Sequence, residues 1–242
     1  MAVRIVSYSV ADEDFVKEAQ QEFIAKNPEK EDQVPQFDDI QDLIAFCARV
    51  SNPANQMNEE TSAKLIKYLI KHAHWSPLEM VNACLEIDTT RDIAHQIVRH
   101  RSFAFQEFSQ RYANPAEMGE QFVVREARLQ DEKNRQNSIE LDLDNVEHVA
   151  ISQRWLEEQQ DVIFRAQRAY EWAINAGIAK EQARAVLPEG LTKTRLYMNG
   201  TLRSWIHYIE LRGANGTQKE HMDIAHACAK IIAKIFPLMN EL

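Results

Sequence analysis

Arg99-His100-Arg101 opens a stretch in which Phe103, Phe105, Glu107, Phe108, Ser109, Arg111 and Tyr112 follow, so cations, a carboxylate, a hydroxyl and aromatic rings share one short segment. An Arg-His-Arg run repels itself, and a chain of formal net charge -9 keeps it most easily where anions offset the repulsion. Planar guanidinium forks match phosphate oxygens in pairs, so an anion pocket is the chemical reading and a solvated surface patch the plain one. If Phe103 to Tyr112 is extended, Phe105, Glu107, Ser109 and Arg111 point one way and Gln106, Phe108, Gln110 and Tyr112 the other. The first row can hold a nucleotide, with Arg111 and Ser109 on phosphate and Glu107 on a ribose or base donor. Ser109 reads as a ligand and not a nucleophile, because it lacks the G-x-S-x-G elbow and nothing identifies a base for it.

The elements that must position this segment are legible around it. Thr89 to Arg101 reads as a helix capped by Thr89 or Thr90, with Asp92 in its first turn and Ile93, Ile97 and Val98 as its apolar stripe. Gln96, Arg99 and His100 then share a face. Met80 to Asp88 alternates Val81, Ala83, Leu85 and Ile87 with Asn82, Cys84 and Glu86, the pattern of a half-buried strand. Further strands are expected at Val3 to Val10, Gln121 to Arg125 and Leu191 to Met198. Helices are expected with Phe15, Ala19 and Phe23 on one face, with Leu43, Phe46, Cys47 and Val50 ending near Asn52-Pro53, and over Glu60 to His72. A long helix opens at Asp144-Asn145 with capping-box character and runs past Trp155 and Trp172 to Gly177. Two more cover Thr201 to Arg212, with Gly213 beyond, and the stretch opened by Thr217 with Glu220 as its capping box. Asp131 to Asn137 is charged and amide-rich, a surface excursion. Together these predict an α+β chain with a mostly antiparallel sheet and a large helical portion.

Composition bounds the function. The chain has 242 residues and no Pro/Gly/Ser-rich linker, which favours a single domain over 1–242. At 45% hydrophobic it can bury a sizeable core, and no apolar run approaches the ~20 residues of a membrane span. The opening residues lack a signal-peptide pattern, so the expected location is cytoplasmic. The three cysteines, Cys47, Cys84 and Cys228, are odd in number and set among apolar neighbours, which suits reduced, packed thiols; no metal site is expected. Net acidity argues against a nucleic-acid partner, whose affinity draws on many phosphate contacts over a basic surface. Six glycines build neither G-x-G-x-x-G nor a P-loop, so a phosphate must be held by arginines and helix ends.

Other residues carry weaker signals on their own. His72 and His74 lie two apart near a helix end, but no third ligand has suitable spacing, so capping or packing is the simpler role. Arg184 alone reads as an exposed salt-bridge residue, and Arg212 as a cation favoured by a helix C-terminus. Arg203 and His207 are one helical turn apart and can share a contact surface.

Arg99-His100-Arg101, seven residues, then Ser109 closely resembles the signature of the flavin-dependent thymidylate synthases, and Ser109-Gln110-Arg111-Tyr112 extends it. Ala48-Arg49-Val50-Ser51, His74-Trp75-Ser76-Pro77-Leu78-Glu79, Ala183-Arg184-Ala185-Val186-Leu187-Pro188, Leu202-Arg203-Ser204-Trp205, Leu211-Arg212 and Gln218-Lys219-Glu220 recur in the family's order, from about Ile40 to His221. Gln106 and Thr217 depart from it, where Asn and Ala are usual. The resemblance implies methylation of dUMP to dTMP, with methylenetetrahydrofolate as carbon donor, FAD carrying a hydride supplied by NADPH, and no cysteine nucleophile. It implies a homotetramer with sites shared between subunits. It assigns Gln96, Arg99, Glu107, Ser109, Gln110, Arg111, Arg184 and Arg212 to dUMP, and Ser51, His74, Ser76, Arg99, His100, Arg101, Glu107, Thr201, Arg203 and His207 to FAD. Arg212 takes the catalytic role, a fixed cation facing a uracil ring that gains negative charge. Two other readings of these residues stay open: a non-catalytic nucleotide- or RNA-binding protein, and a flavoprotein acting on a modified pyrimidine nucleotide.

Overall fold

The alternation of Ala83, Leu85 and Ile87 builds β2 (Asn82–Thr90), the strand on which the fold is organised. In the computed structural model, which describes residues 2–29, 34–37 and 39–241, β2 pairs antiparallel with β1 (Ala2–Tyr8) on one side and β6 (Lys193–Thr201) on the other. β3 (Ala104–Glu107) closes the sheet on the far edge of β6, giving the order β1-β2-β6-β3, antiparallel throughout. The β2–β6 register sets Ala83 opposite Gly200, Leu85 opposite Met198 and Ile87 opposite Leu196, so one face of both strands is buried. The other face carries Arg4, Glu86, Asp88 and Arg195, with Arg4 donating to Glu86 at 2.9 Å and Arg195 gripping Asp88 at 2.6 and 3.0 Å.

Helices cover the apolar face. α1 (Glu13–Lys26) is capped by Asp12 and lies outermost, with its residues at most half-buried. α2 (Ile40–Ala48) and α3 (Ser62–Lys71) send Ile44, Ala45, Ile66 and Leu69 into the core. α4 (Arg91–Ile97) follows β2 directly. β4 (Arg128–Gln130) and β5 (Ser138–Glu140) form a separate hairpin whose tip is the Asp131 to Asn137 excursion. α5 (Val146–Asn175) is capped by the Asn145 side chain and ends before Gly177, whose φ of 79° suits glycine. It packs Tyr170 and Ala173 against Phe122, Ala183 and Leu187, with α6 (Lys180–Ala183) alongside. α7 (Leu202–Gly213) and α8 (Lys219–Ile232) complete the main core through Trp205, Tyr208, Ile224 and Cys228.

The α+β architecture with its antiparallel sheet stands as expected, and several boundaries move. The helix expected to reach Arg101 ends at Ile97: His100 N–H bonds Ile97 O at 3.1 Å, Phe103 N–H bonds His100 O at 3.3 Å, and Val98 is exposed. The chain turns there because Phe103 packs on Trp205 and over Gly200 on its way into β3. The extended stretch expected through Tyr112 stops at Glu107, since the edge of β6 is shared. Phe108 N–H takes Arg195 O, and two residues on Lys193 N–H is already bonded to Gln121 O, so Ser109 to Ala113 must leave the sheet as a turn. The expected Gln121–Arg125 strand is correspondingly a single bridge, Phe122 to Thr192. The capping box expected at α8 does not form; Gln218 is the N-cap, and Glu220 is engaged by Gln218 and Arg128.

Candidate active site

Arg212 sits in the last turn of α7, where the helix dipole favours a cation, and Tyr208 shares its face four residues earlier. Arg212 Nε donates to His100 Nε2 at 2.9 Å, and the His100 ring meets Tyr208 edge-on with centroids 5.0 Å apart. An imidazole nitrogen accepting from a guanidinium carries no proton, so His100 is neutral, protonated on Nδ1. Burial, then the Arg212 charge, holds its pKa below the ordinary value. His221, fully buried on α8, continues the cluster: Nε2 is 3.2 Å from the Tyr208 hydroxyl and Nδ1 3.3 Å from Gln96 Oε1. Burial, reinforced by Arg212 and His100, pushes the His221 pKa down to about 4.

From there the network runs to a carboxylate. Gln96 Nε2 donates to Gln218 Oε1 at 2.8 Å, and Gln218 Nε2 to Glu220 Oε2 at 2.9 Å. Burial pushes the Glu220 carboxyl up, but the hydrogen bonds from Arg128 and its other partners outweigh that and keep it below its ordinary range. Arg125 lies 4.0 Å from Glu220 and donates to Asp92 at 2.7 Å and Thr90 at 2.6 Å, which ties α8 to the start of α4.

A second group of expected residues surrounds the start of α7. The Thr201 hydroxyl accepts from Ser204 N–H at 3.3 Å, and Ser204 Oγ donates to Ser102 O at 3.3 Å, fastening the Arg99–Arg101 turn to this helix. Arg203 donates to Glu79 at the end of the Ser76–Glu79 turn, and His207 packs edge-on against Trp75 at 4.4 Å between centroids. His74 is exposed, its ring 6.2 Å from that of Tyr68. It follows Ala73, which takes a left-handed φ of 56° as His74 N–H closes onto Leu69 O at 2.8 Å and Ala73 N–H onto Ile70 O at 3.0 Å.

A third group gathers at α6, where Arg111 Nη2 is 3.6 Å from the Glu181 carboxylate and Arg184 Nε donates to the Glu181 carbonyl at 3.3 Å. Glu107 accepts from Arg91 at 3.1 Å and from Thr194 at 2.9 Å. The row expected from Glu107 through Ser109 to Arg111 is therefore broken: the Ser109 carbonyl closes the turn onto Tyr112 and Ala113, while Gln110 turns inward, buried with its Nε2 unpartnered. Ser51, Arg99 and Arg101 are exposed. Cavities of about 520 and about 790 Å³ flank the Glu220 end of the network, the first lined by Thr90, Arg125, Arg195 and Glu220 and the second by Arg128, Trp155 and Gln218, and no expected ligand residue lines either.

Sequence reasoning missed Tyr208, Gln218 and His221. Tyr208 could have been found from its four-residue spacing to Arg212, and Gln218 from the Gln218-Lys219-Glu220 block; His221 has no local signal.

The sequence model of the family described as Thy1, thymidylate synthase complementing protein, matches residues 33–238. A probable flavin-dependent thymidylate synthase of Paramecium bursaria Chlorella virus 1 is 49% identical over 197 residues, covering 81% of this chain and 87% of its own. A flavin-dependent thymidylate synthase of Synechocystis sp. is 50% identical over 196 residues, covering 81% and 85%. In structure the chain is similar to the UMP/dUMP methylase PolB from Streptomyces cacaoi solved with 5-Br dUMP, at a TM-score of 0.75 and 22% identity over 99% of this chain and 93% of that one, a likeness of fold. A family match across nearly the whole chain, with relatives at half identity, places this protein in the flavin-dependent thymidylate synthase family.

Proposed function

We propose that the protein converts dUMP to dTMP, taking the carbon from methylenetetrahydrofolate, with FAD reduced by NADPH and no cysteine nucleophile. The observation that carries this reading is the Arg212–His100 pair, in which a neutral imidazole accepts one guanidinium N–H and fixes the rest of the cation. A cation fixed in advance lowers the barrier for a ring that gains negative charge, because no reorganisation is needed as the charge develops. The guanidiniums of Arg111 and Arg184, already gathered at α6, suit the nucleotide phosphate. Gln96 would hold the nucleotide beside Arg212, with Arg99, Glu107, Ser109 and Gln110 as further ligands.

The residues present fit a flavin dinucleotide by their chemistry. Arg99 and Arg101 offer exposed guanidiniums to a pyrophosphate, and the α7 start brings Thr201, Arg203 and His207 beside Trp75 and Ser76, a surface of donors and ring faces. Ser51, His74, His100 and Glu107 complete that set. FAD, when bound, would supply the reducing hydride. The thiol route is disfavoured by the cysteines themselves: burial raises the pKa of Cys47, Cys84 and Cys228, whereas a nucleophilic thiol needs it lowered.

We further propose a homotetramer with shared active sites, the chain acting as one domain in the cytoplasm. The long α5, which leaves Phe164 and Trp172 about two-thirds exposed, supports completion of the site by a neighbour. Free cysteines suit a reducing compartment. The test is tritium release from carbon five of labelled dUMP with FAD and NADPH, with and without the folate. Folate-dependent release together with dTMP supports the reading, and no release from a flavin-loaded preparation refutes dUMP as substrate.

A further inference from the structure

We propose that His221 is a positioning residue for Gln96, and that the Glu220 carboxylate fixes which way the Gln96 amide faces. This rests on the reading that Gln96 touches the nucleotide.

An ionised carboxylate can only accept, so Gln218 must turn its amide nitrogen toward Glu220, as it does at 2.9 Å. That leaves Gln218 Oε1 to accept, and Gln96 must present its own nitrogen to it, at 2.8 Å. Gln96 Oε1 then faces His221 Nδ1 at 3.3 Å, which must carry the imidazole proton, and Nε2 is left to accept from the Tyr208 hydroxyl at 3.2 Å. Every member points the same way, from Tyr208 to Glu220. Turning the Gln96 amide over would set two donors against each other at His221 and two acceptors at Gln218, in a site where an unmade bond is costly. Each polar atom of Gln96 uses one bonding position in this chain, so one N–H and one lone pair remain for a ligand, in fixed order. Arg128 on β4 holds the carboxylate end, so the hairpin outside the main sheet takes part in orienting a residue on α4.

The experiment is steady-state kinetics of the flavin-loaded protein with dUMP. Gln96→Ala tests the reading itself: it should raise KM for dUMP, and an unchanged KM overturns both that reading and this inference. His221→Phe keeps a ring but removes both hydrogen bonds, and should raise KM by about tenfold, the worth of one misdirected hydrogen bond, with kcat changed less. His221→Gln, able to donate to Gln96 and accept from Tyr208, should restore KM. In a Gln96→Ala background, His221→Phe should add nothing to KM, as expected of residues acting through one contact. If His221→Phe does not fold, Gln218→Leu breaks the chain at a half-buried position and should give the same rise. A raised KM in Gln96→Ala with an unchanged KM in His221→Phe or Gln218→Leu, or full additivity in the double variant, overturns the inference.

Discussion

Acidification should unlock the His221 cluster before it affects most of the core. His221 is fully buried between Tyr208 and Gln96 and is held neutral, its pKa pushed down from 6.5 to about 4. In the unfolded chain the same imidazole takes up a proton near 6.5, so below that value the unfolded state binds more protons and stability falls. The contribution is complete above the unfolded value and is lost as the pH drops toward the folded one. A gap of about 2.5 in pKa corresponds to about 3 kcal/mol in full, of which about 2 kcal/mol is already lost near pH 5. The assay is denaturant unfolding of the protein and of His221→Gln side by side, at one fixed protein concentration because assembly itself adds stability. Gln cannot titrate, so the stability advantage of the parent over the variant should shrink by about 2 kcal/mol between about pH 7 and about pH 5. An advantage that stays constant across that range means that His221 is not held neutral, and the donor order argued from it fails.

Three further perturbations test other parts of the structure. Arg212→Ala should reduce turnover by at least about a hundredfold while flavin stays bound, read by tritium release and flavin absorbance; loss of the flavin would give Arg212 a different role. Gly200→Ala sets a Cβ against Phe103 Cδ1 and 2.6 Å from its Cε1 and should cost about 1–3 kcal/mol in thermal or denaturant unfolding; an unchanged stability would contradict the packing of Phe103 over this strand. Ala73→Gly relieves a left-handed alanine at the end of α3 and should stabilise the protein by up to about 1 kcal/mol, the conformational relief exceeding the added chain entropy; a lower melting temperature would contradict the assigned backbone.

What could be read from the sequence was what local pattern controls. The alternation of β2, the Asn145 cap and Gly177 stop of α5, and the Arg212-Gly213 end of α7 each follow from side-chain period or backbone preference, and each lies close to its expected place. The end of α4 was not legible, because it depends on Phe103 docking over Gly200 and against Trp205, about a hundred residues away. The break after Glu107 depends on Gln121 holding the next place on β6. Among the site residues, His100 and Arg212 come from two separate motif blocks and meet at 2.9 Å, whereas Gln96 reaches them only by way of His221 and Tyr208. The residues that join them were invisible for a simple reason: His221 on an amphipathic helix looks like any core histidine until Tyr208 and Gln96 are seen on either side.

The shared edge of β6 has a bearing on how this scaffold can change. The segment carrying Ser109, Gln110 and Arg111 leaves that edge at Arg195 and returns to it at Lys193, so its two ends are clamped to neighbouring rungs of one ladder. Most of the entropy of closing such a loop is offset by the sheet, and doubling its length adds only about 0.6 kcal/mol. Insertions between Ala113 and Glu120 should therefore leave the strand register untouched while reshaping what stands beside Arg111, one of the residues proposed to hold the nucleotide. A lineage can thus alter its ligand fit here by changing loop length alone, with the antiparallel frame serving as a fixed mount.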